Sequence, residues 1–121
     1  MIQEEFVTLE TAKLLKEKGF REDCMAFYTK DGLFNCNSYI NTNALKLPAP
    51  TQSVAQKWLR ETQNIHICVY NCACGYGYEI SKADNGTHIT SSVYEGPNDG
   101  GKWEIYEEAL EAGLQEALKL I

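Results

Sequence analysis

Positive charge, histidine and long apolar runs are all scarce in this sequence. Eleven Lys and Arg stand against seventeen Asp and Glu, a net charge of -6. Such a chain repels phosphate backbones on average, which disfavours a nucleic-acid partner. No apolar run approaches the roughly 18 residues that a membrane span needs, so no membrane partner is expected. The opening Met-Ile-Gln-Glu-Glu has neither a basic nor an apolar leader region, and a cytoplasmic protein is the expectation. Five cysteines, an odd number without an export signal, point to thiols rather than a disulfide framework. Repeats, low-complexity tracts and long linkers are missing as well.

What is present is ordinary globular composition: 121 residues, 44% hydrophobic and 23% charged. That length suits one domain over residues 1–121 with a single core. Residues 8–18 read as a helix, with Thr8 as cap, Leu9, Ala12 and Leu15 as its apolar stripe, and Gly19 as its left-handed stop. Phe20 is expected to fold back onto the last turn. Residues 24–30 and 33–39 alternate around Asp31-Gly32, a two-residue hairpin signal. That register puts Met25, Phe27, Phe34 and Cys36 on one face, and Cys24, Tyr28, Lys30, Asn35 and Tyr39 on the other.

Residues 41–50, with Pro48 and Pro50, read as a loop. Thr51 then caps a second helix to about Gln63, with Val54, Ala55, Trp58 and Leu59 at core spacing. Three strands follow near 65–73, 76–83 and 87–94. Ile65, Ile67 and Val69, then Tyr76, Tyr78 and Ile80, then Ile89 and Val93 form one apolar face. Cys74-Gly75 and Asn85-Gly86 are the expected turns. After the break Gly96-Pro97-Asn98-Asp99-Gly100-Gly101, the pattern from about Trp103 or Tyr106 to Leu120 is a broad helical stripe, with glutamates at its start and Lys119 near its end. The order α-β-β-α-β-β-β-α predicts an α+β, two-layer domain. Its mainly antiparallel sheet has about five strands, and the three helices cover one face.

The uncovered face collects the unusual residues: Tyr28, Tyr39, His66, Cys68, Tyr70, Cys72, Glu79, His88 and Tyr94. Hairpin register places Glu79 beside Tyr70 and Ala83 between His66 and His88. A metal is not expected. Cys68-x3-Cys72-x-Cys74 lies on extended chain, where alternate side chains are roughly 6.5–7 Å apart, too far for two thiolates on one zinc. A cysteine nucleophile would need a lowered thiol pKa and a base; Cys68 and His66 share a strand face but cannot bond directly. Glu107, Glu108 and Glu111 pair along a solvated helix face, which suits an acidic DNA mimic better than a cleft. Gly75-Tyr76-Gly77-Tyr78 feeds a strand rather than a helix, so it is no phosphate loop, and no cofactor is expected. The opening helix is not followed by a recognition helix, and the exposed tyrosines lack the basic surround of an RNA-stacking sheet.

The segments Pro50-Thr51-Gln52-Ser53-Val54-Ala55-Gln56-Lys57-Trp58-Leu59-Arg60-Glu61 and Tyr106-Glu107-Glu108-Ala109-Leu110-Glu111-Ala112-Gly113-Leu114, together with residues 8–15, resemble a set of small hypothetical proteins of gut anaerobic bacteria, their phages and mobile elements. The resemblance implies an intracellular accessory protein and carries no catalytic residue. A face of Tyr, Cys, His and Asn has the composition of a protein contact. The expectation is therefore a non-enzymatic interaction or regulatory module that engages a protein partner or itself. A small thiol- or carboxylate-dependent enzyme and a nucleic-acid-associated module are the alternatives.

Overall fold

In the computed structural model, which describes residues 2–29, 31–32, 34–36, 47–95 and 98–121, the first helix begins where the Thr8 side chain accepts a hydrogen bond from the Thr11 N–H at 3.4 Å. This helix, α1 (Leu9–Glu17), ends through Gly19 at φ +100°. The Phe20 N–H then returns to the Leu15 carbonyl at 2.9 Å, and the Phe20 ring is buried. A left-handed glycine followed by a folded-back apolar residue satisfies the last carbonyls and seals the helix end.

The chain divides into two compact units, Met1–Ala55 and Gln56–Ile121. In the first, β1 (Ala26–Tyr28) lies between β2 (Phe34–Cys36) and β3 (Leu47–Pro48), both antiparallel to it. The strand β3 lies within residues 41–50, expected as loop. Pro48 is compatible with it because β3 is an edge strand, where a missing N–H costs no ladder bond. Residues 5–7 run beside 50–52, with Val7 N–H to the Pro50 carbonyl at 3.0 Å and Gln52 N–H to the Glu5 carbonyl at 2.8 Å.

The first hairpin corrects the expected register. Tyr28 pairs with Phe34, Phe27 with Asn35 and Ala26 with Cys36, so Phe34 shares a face with Tyr28 instead of Phe27. Asp31-Gly32 would make a two-residue turn only if both residues took positive φ. Gly32 does, at +82°, but the pairing of Tyr28 with Phe34 leaves an odd number of residues between the paired positions, which a two-residue turn does not allow. The connection is one residue longer, and a one-residue change moves side chains to the opposite face. Cys24, placed by alternation on the uncovered side, is buried, while Met25 is exposed.

The second helix, α2 (Gln52–Thr62), starts at Thr51, whose hydroxyl accepts from the Val54 N–H at 3.3 Å. Ala55, Trp58 and Leu59 are buried as expected, whereas Val54 is exposed. The second unit continues with β4 (Ile65–Cys72), β5 (Gly75–Lys82) and β6 (His88–Ser91), antiparallel in the order β4-β5-β6. The last helix, α3 (Tyr106–Lys119), packs against β4 and β5 and buries Ala109, Leu110, Gly113, Leu114, Ala117 and Leu118. Ile65, Ile67, Tyr78 and Ile80 are the buried residues beneath it. At Gly113 the helix comes so close that an added Cβ would meet the Ile67 Cγ2 at 3.0 Å.

One five-stranded sheet with three helices on a single face is therefore not what forms. There are two small antiparallel sheets, one in each unit, and α3 is the helix on β4 and β5, while α1 packs with β3. The broader α+β reading stands. Among the described residues, no helix is long and apolar enough to cross a membrane.

Candidate functional site

The outer face of the second sheet is arranged in cross-strand rows. His66 pairs with Ser81, and Ser81 with His88; Cys68 pairs with Glu79, and Glu79 with Ser91; Tyr70 pairs with Gly77. Two expectations are corrected by this register. Glu79 lies opposite Cys68 rather than beside Tyr70, because the turn is Ala73-Cys74 and Gly75 already belongs to β5. Ser81, not Ala83, separates the two histidines. A bulge between Ile80 and Ser81 sets two residues of β6 against one of β5 and brings His88 opposite Ser81.

The third strand is shorter than its alternation implied. After Ser91 the chain enters a 3-10 turn, Ser92–Glu95, and Ile89 and Val93 are 37% and 46% exposed instead of joining the apolar face. The expected Asn85-Gly86 type I′ turn is replaced by a longer loop in which Gly86 alone has positive φ, at +75°. Its ends are tied by Lys82 N–H to the Thr87 carbonyl and Gly86 N–H to the Lys82 carbonyl, both at 2.8 Å.

Part of the outer face is covered. The Tyr70 ring lies over Gly77, and its hydroxyl donates to the Asp99 carbonyl at 2.7 Å. Ser92 is fully buried. Its Oγ accepts from the Tyr78 N–H at 3.0 Å and donates to the Gly100 carbonyl at 2.9 Å. Farther along β5, Tyr76 and Trp103 exchange backbone bonds at 2.7 and 3.2 Å. Thus β6, then one serine hydroxyl, then Trp103 satisfy successive groups along the same side of β5. Neither Ser92 nor Trp103 stands out by periodicity as a partner of β5. The signal was Ser91-Ser92 directly before a glycine-rich break: small hydroxyls where a strand stops are well suited to substitute for backbone partners.

The residues left on the open part of this face are His66, Cys68, Glu79, Ser81, His88 and Tyr94. Cys68, Glu79 and His88 are exposed, His66 is half-buried, and Ser81 is 8% exposed between the two imidazoles. Tyr94 sits on the 3-10 turn, 73% exposed. Its ring meets that of His88 edge-on at 5.8 Å, with the hydroxyl 3.4 Å from Nε2. Tyr70 is a support for Asp99, whose carbonyl it holds, and Cys72 lies at the sheet end opposite Gly75. Tyr28 belongs to the other sheet, where it donates to the Val7 carbonyl at 2.8 Å. Tyr39 lies outside the described residues.

Among the described residues, neither imidazole hydrogen-bonds a thiol or a carboxylate, and no three His, Cys, Asp or Glu side chains converge as a metal site. Cys24, Cys68, Cys72 and Cys74 are thiols. Burial, reinforced by the charges of Asp23 and Glu22, pushes the Cys24 thiol up to about 11, which holds it protonated and unreactive. The first unit carries a separate open groove of about 250 Å3 lined by Phe6, Cys24, Met25, Ala49, Pro50 and Val54 among others. Compared with protein-family models, curated proteins and solved structures, the chain matches none.

Proposed function

We propose that this protein is a non-enzymatic interaction module that binds a protein partner through the open outer face of β4, β5 and β6. The observation that carries the reading is the row His66–Ser81–His88, extended by the Tyr94 ring and flanked by Cys68 and Glu79. It displays two imidazoles, a thiol and a carboxylate on neighbouring strands, with a phenol on the adjoining 3-10 turn. Aromatic and amphipathic side chains held by a rigid sheet lose little rotamer freedom on contact, which favours recognition of another protein surface. Acid–base chemistry instead needs a histidine within about 3.2 Å of the group it serves. The resemblance of residues 50–61 and 106–114 to small proteins of phages and mobile elements supports an accessory role of that origin.

The test compares capture from a host lysate by wild type, by the face variants His88→Asp and Glu79→Arg, and by the α3 variant Glu111→Gln. A specific partner kept by wild type and Glu111→Gln but lost by both face variants is the expected result. Equal capture by all four proteins would overturn the assignment of the face.

A further inference from the structure

Among the described residues, no strand pairs with the outer edge of β4. The Ala83 N–H bonds to the Asn64 carbonyl at 3.1 Å, which fixes the even-numbered residues of β4 as those bonded to β5. The backbone groups of Ile67, Val69 and Asn71 consequently point away from β5. Ile67 confirms this, since its carbonyl accepts the Gln56 side-chain amide at 2.8 Å. Among the described residues, the outward groups of Val69 and Asn71 meet only the Cys68 thiol, 3.8 Å from the Val69 carbonyl.

Natural edge strands are guarded by charge, proline, bulges or short length. Here β4 is eight residues long, pairs with β5 without a bulge, and contains no Asp, Glu, Lys, Arg, Pro or Gly. In a chain of net charge -6, it is a neutral stretch along which two copies can approach without like-charge repulsion.

We propose that two copies of this chain pair antiparallel through their β4 edges, in the register centred on Tyr70. That register bonds Val69 to the partner's Asn71 and Asn71 to the partner's Val69 through the outward N–H and carbonyl groups of both residues, each Val69 carbonyl exchanging its long contact with the Cys68 thiol for a backbone N–H. A register centred on Val69 would set Asn71 against the partner's Ile67, whose carbonyl Gln56 already holds. Centring on Tyr70 also places Cys68 opposite the partner's Cys72, twice, because the two cysteines are symmetric about that residue. These are non-hydrogen-bonded positions of the new ladder, with Cα atoms about 4.5 Å apart, inside the range a disulfide spans. Tyr70 does not obstruct the approach, since its ring leans over Gly77 toward Asp99 and away from the edge. The Cys-x3-Cys spacing, too long for a metal or for a bond within one strand, fits a bond between two. The inference concerns the strand edge and stands apart from the reading of the outer face.

Oxidation by a small disulfide such as oxidised glutathione would lock the pair. The Cys68 thiolate attacks the disulfide and expels one thiol. The partner's Cys72 thiolate then attacks the mixed disulfide and expels the second, with the two protein protons ending on the two released thiols. Two oxidant molecules are reduced for each doubly bridged dimer.

The experiment incubates reduced full-length protein with oxidised glutathione, weighs the product without reductant, and maps the linked peptides. The expected product has twice the chain mass and a Cys68–Cys72 link. The Cys68→Ser and Cys72→Ser variants each fail to form that link alone. Mixed together, they recover it, through Cys72 of the first and Cys68 of the second. Asn71→Pro, which removes an outward N–H and no bond to β5, lowers the wild-type yield. A dimer that forms equally well in either serine variant alone, a mixture that recovers nothing, or a wild-type product that remains monomeric would each overturn the proposal.

Discussion

The Tyr70 hydroxyl donates to the carbonyl of Asp99 at 2.7 Å, reaching from β4 across Gly77 to a segment 29 residues later in the chain. One phenol thereby holds down the segment that closes part of the outer face. Asp99 itself takes a left-handed backbone, φ +53°, so its carbonyl is aimed by a conformation that most residues avoid.

Tyr70→Phe keeps the ring over Gly77 and removes the hydrogen bond. The expected loss is about 1 kcal/mol of unfolding free energy, the net worth of one such bond. Gly77→Ala is expected to be worse, about 3 kcal/mol, because its Cβ would lie 2.6 Å from the Tyr70 Cζ and 2.5 Å from the Gly100 carbonyl oxygen. Urea denaturation of the two variants ranks them, and a Tyr70→Phe variant as damaged as Gly77→Ala would refute the division of roles.

Ser92 has one proton for several neighbours. With Tyr70 donating to Asp99, the Ser92 proton goes to Gly100 at 2.9 Å and its lone pair to the Tyr78 N–H at 3.0 Å. Ser92→Ala leaves a buried donor and a buried acceptor without that partner, a cost of about 1–3 kcal/mol. Amide exchange at Tyr78 is the sharper measurement: it should accelerate well beyond what the fall in global stability explains.

Alternation along β4 and β5 was legible because the error in pairing register was an even number of residues. Moving the turn from Cys74-Gly75 to Ala73-Cys74 slides the pairing by two, which changes neighbours but not faces, so His66 and Cys68 stay opposite in sense to Ile65 and Ile67. The first hairpin failed for the converse reason, since one extra residue in its connection reversed Phe34. Helix ends were readable at Thr8 and Gly19 because caps depend on local chemistry. The partial closing of the face by Ser92, Asp99, Gly100 and Trp103 depends on a buried hydroxyl and a Trp103 bridge distant in sequence, which periodicity does not encode.

Gly113 decides how near α3 lies to its sheet. An alanine there gains roughly 1 kcal/mol of helix propensity. Its Cβ, however, meets Ile67 at 3.0 Å and the Tyr78 ring at 3.2 Å, and both side chains are buried. Overpacking of this kind costs about 1–3 kcal/mol, so Gly113→Ala should be destabilising on balance. A thermal melt above that of wild type would mean that Ile67 moves aside freely.

Cys24 gives the second prediction in which sign matters. Its ordinary thiol value of 9.0 is pushed up to about 11 in the folded chain, first by burial and then by Asp23 and Glu22. Between those values the unfolded chain has released the proton and the folded chain has kept it. Stability from this group is therefore whole below pH 9 and is lost as pH rises through 11, by about 2–3 kcal/mol in total. Lys and Tyr also titrate in that window, so the measurement is the difference between wild type and Cys24→Ala in urea at pH 8, 9, 10 and 11. Wild type should lose stability faster, with the gap between the two closing or reversing toward the alkaline end. Parallel curves would show that the thiol is open to water in the folded chain, and the same chain would then be alkylated at Cys24 by iodoacetamide at pH 8 as quickly as when unfolded.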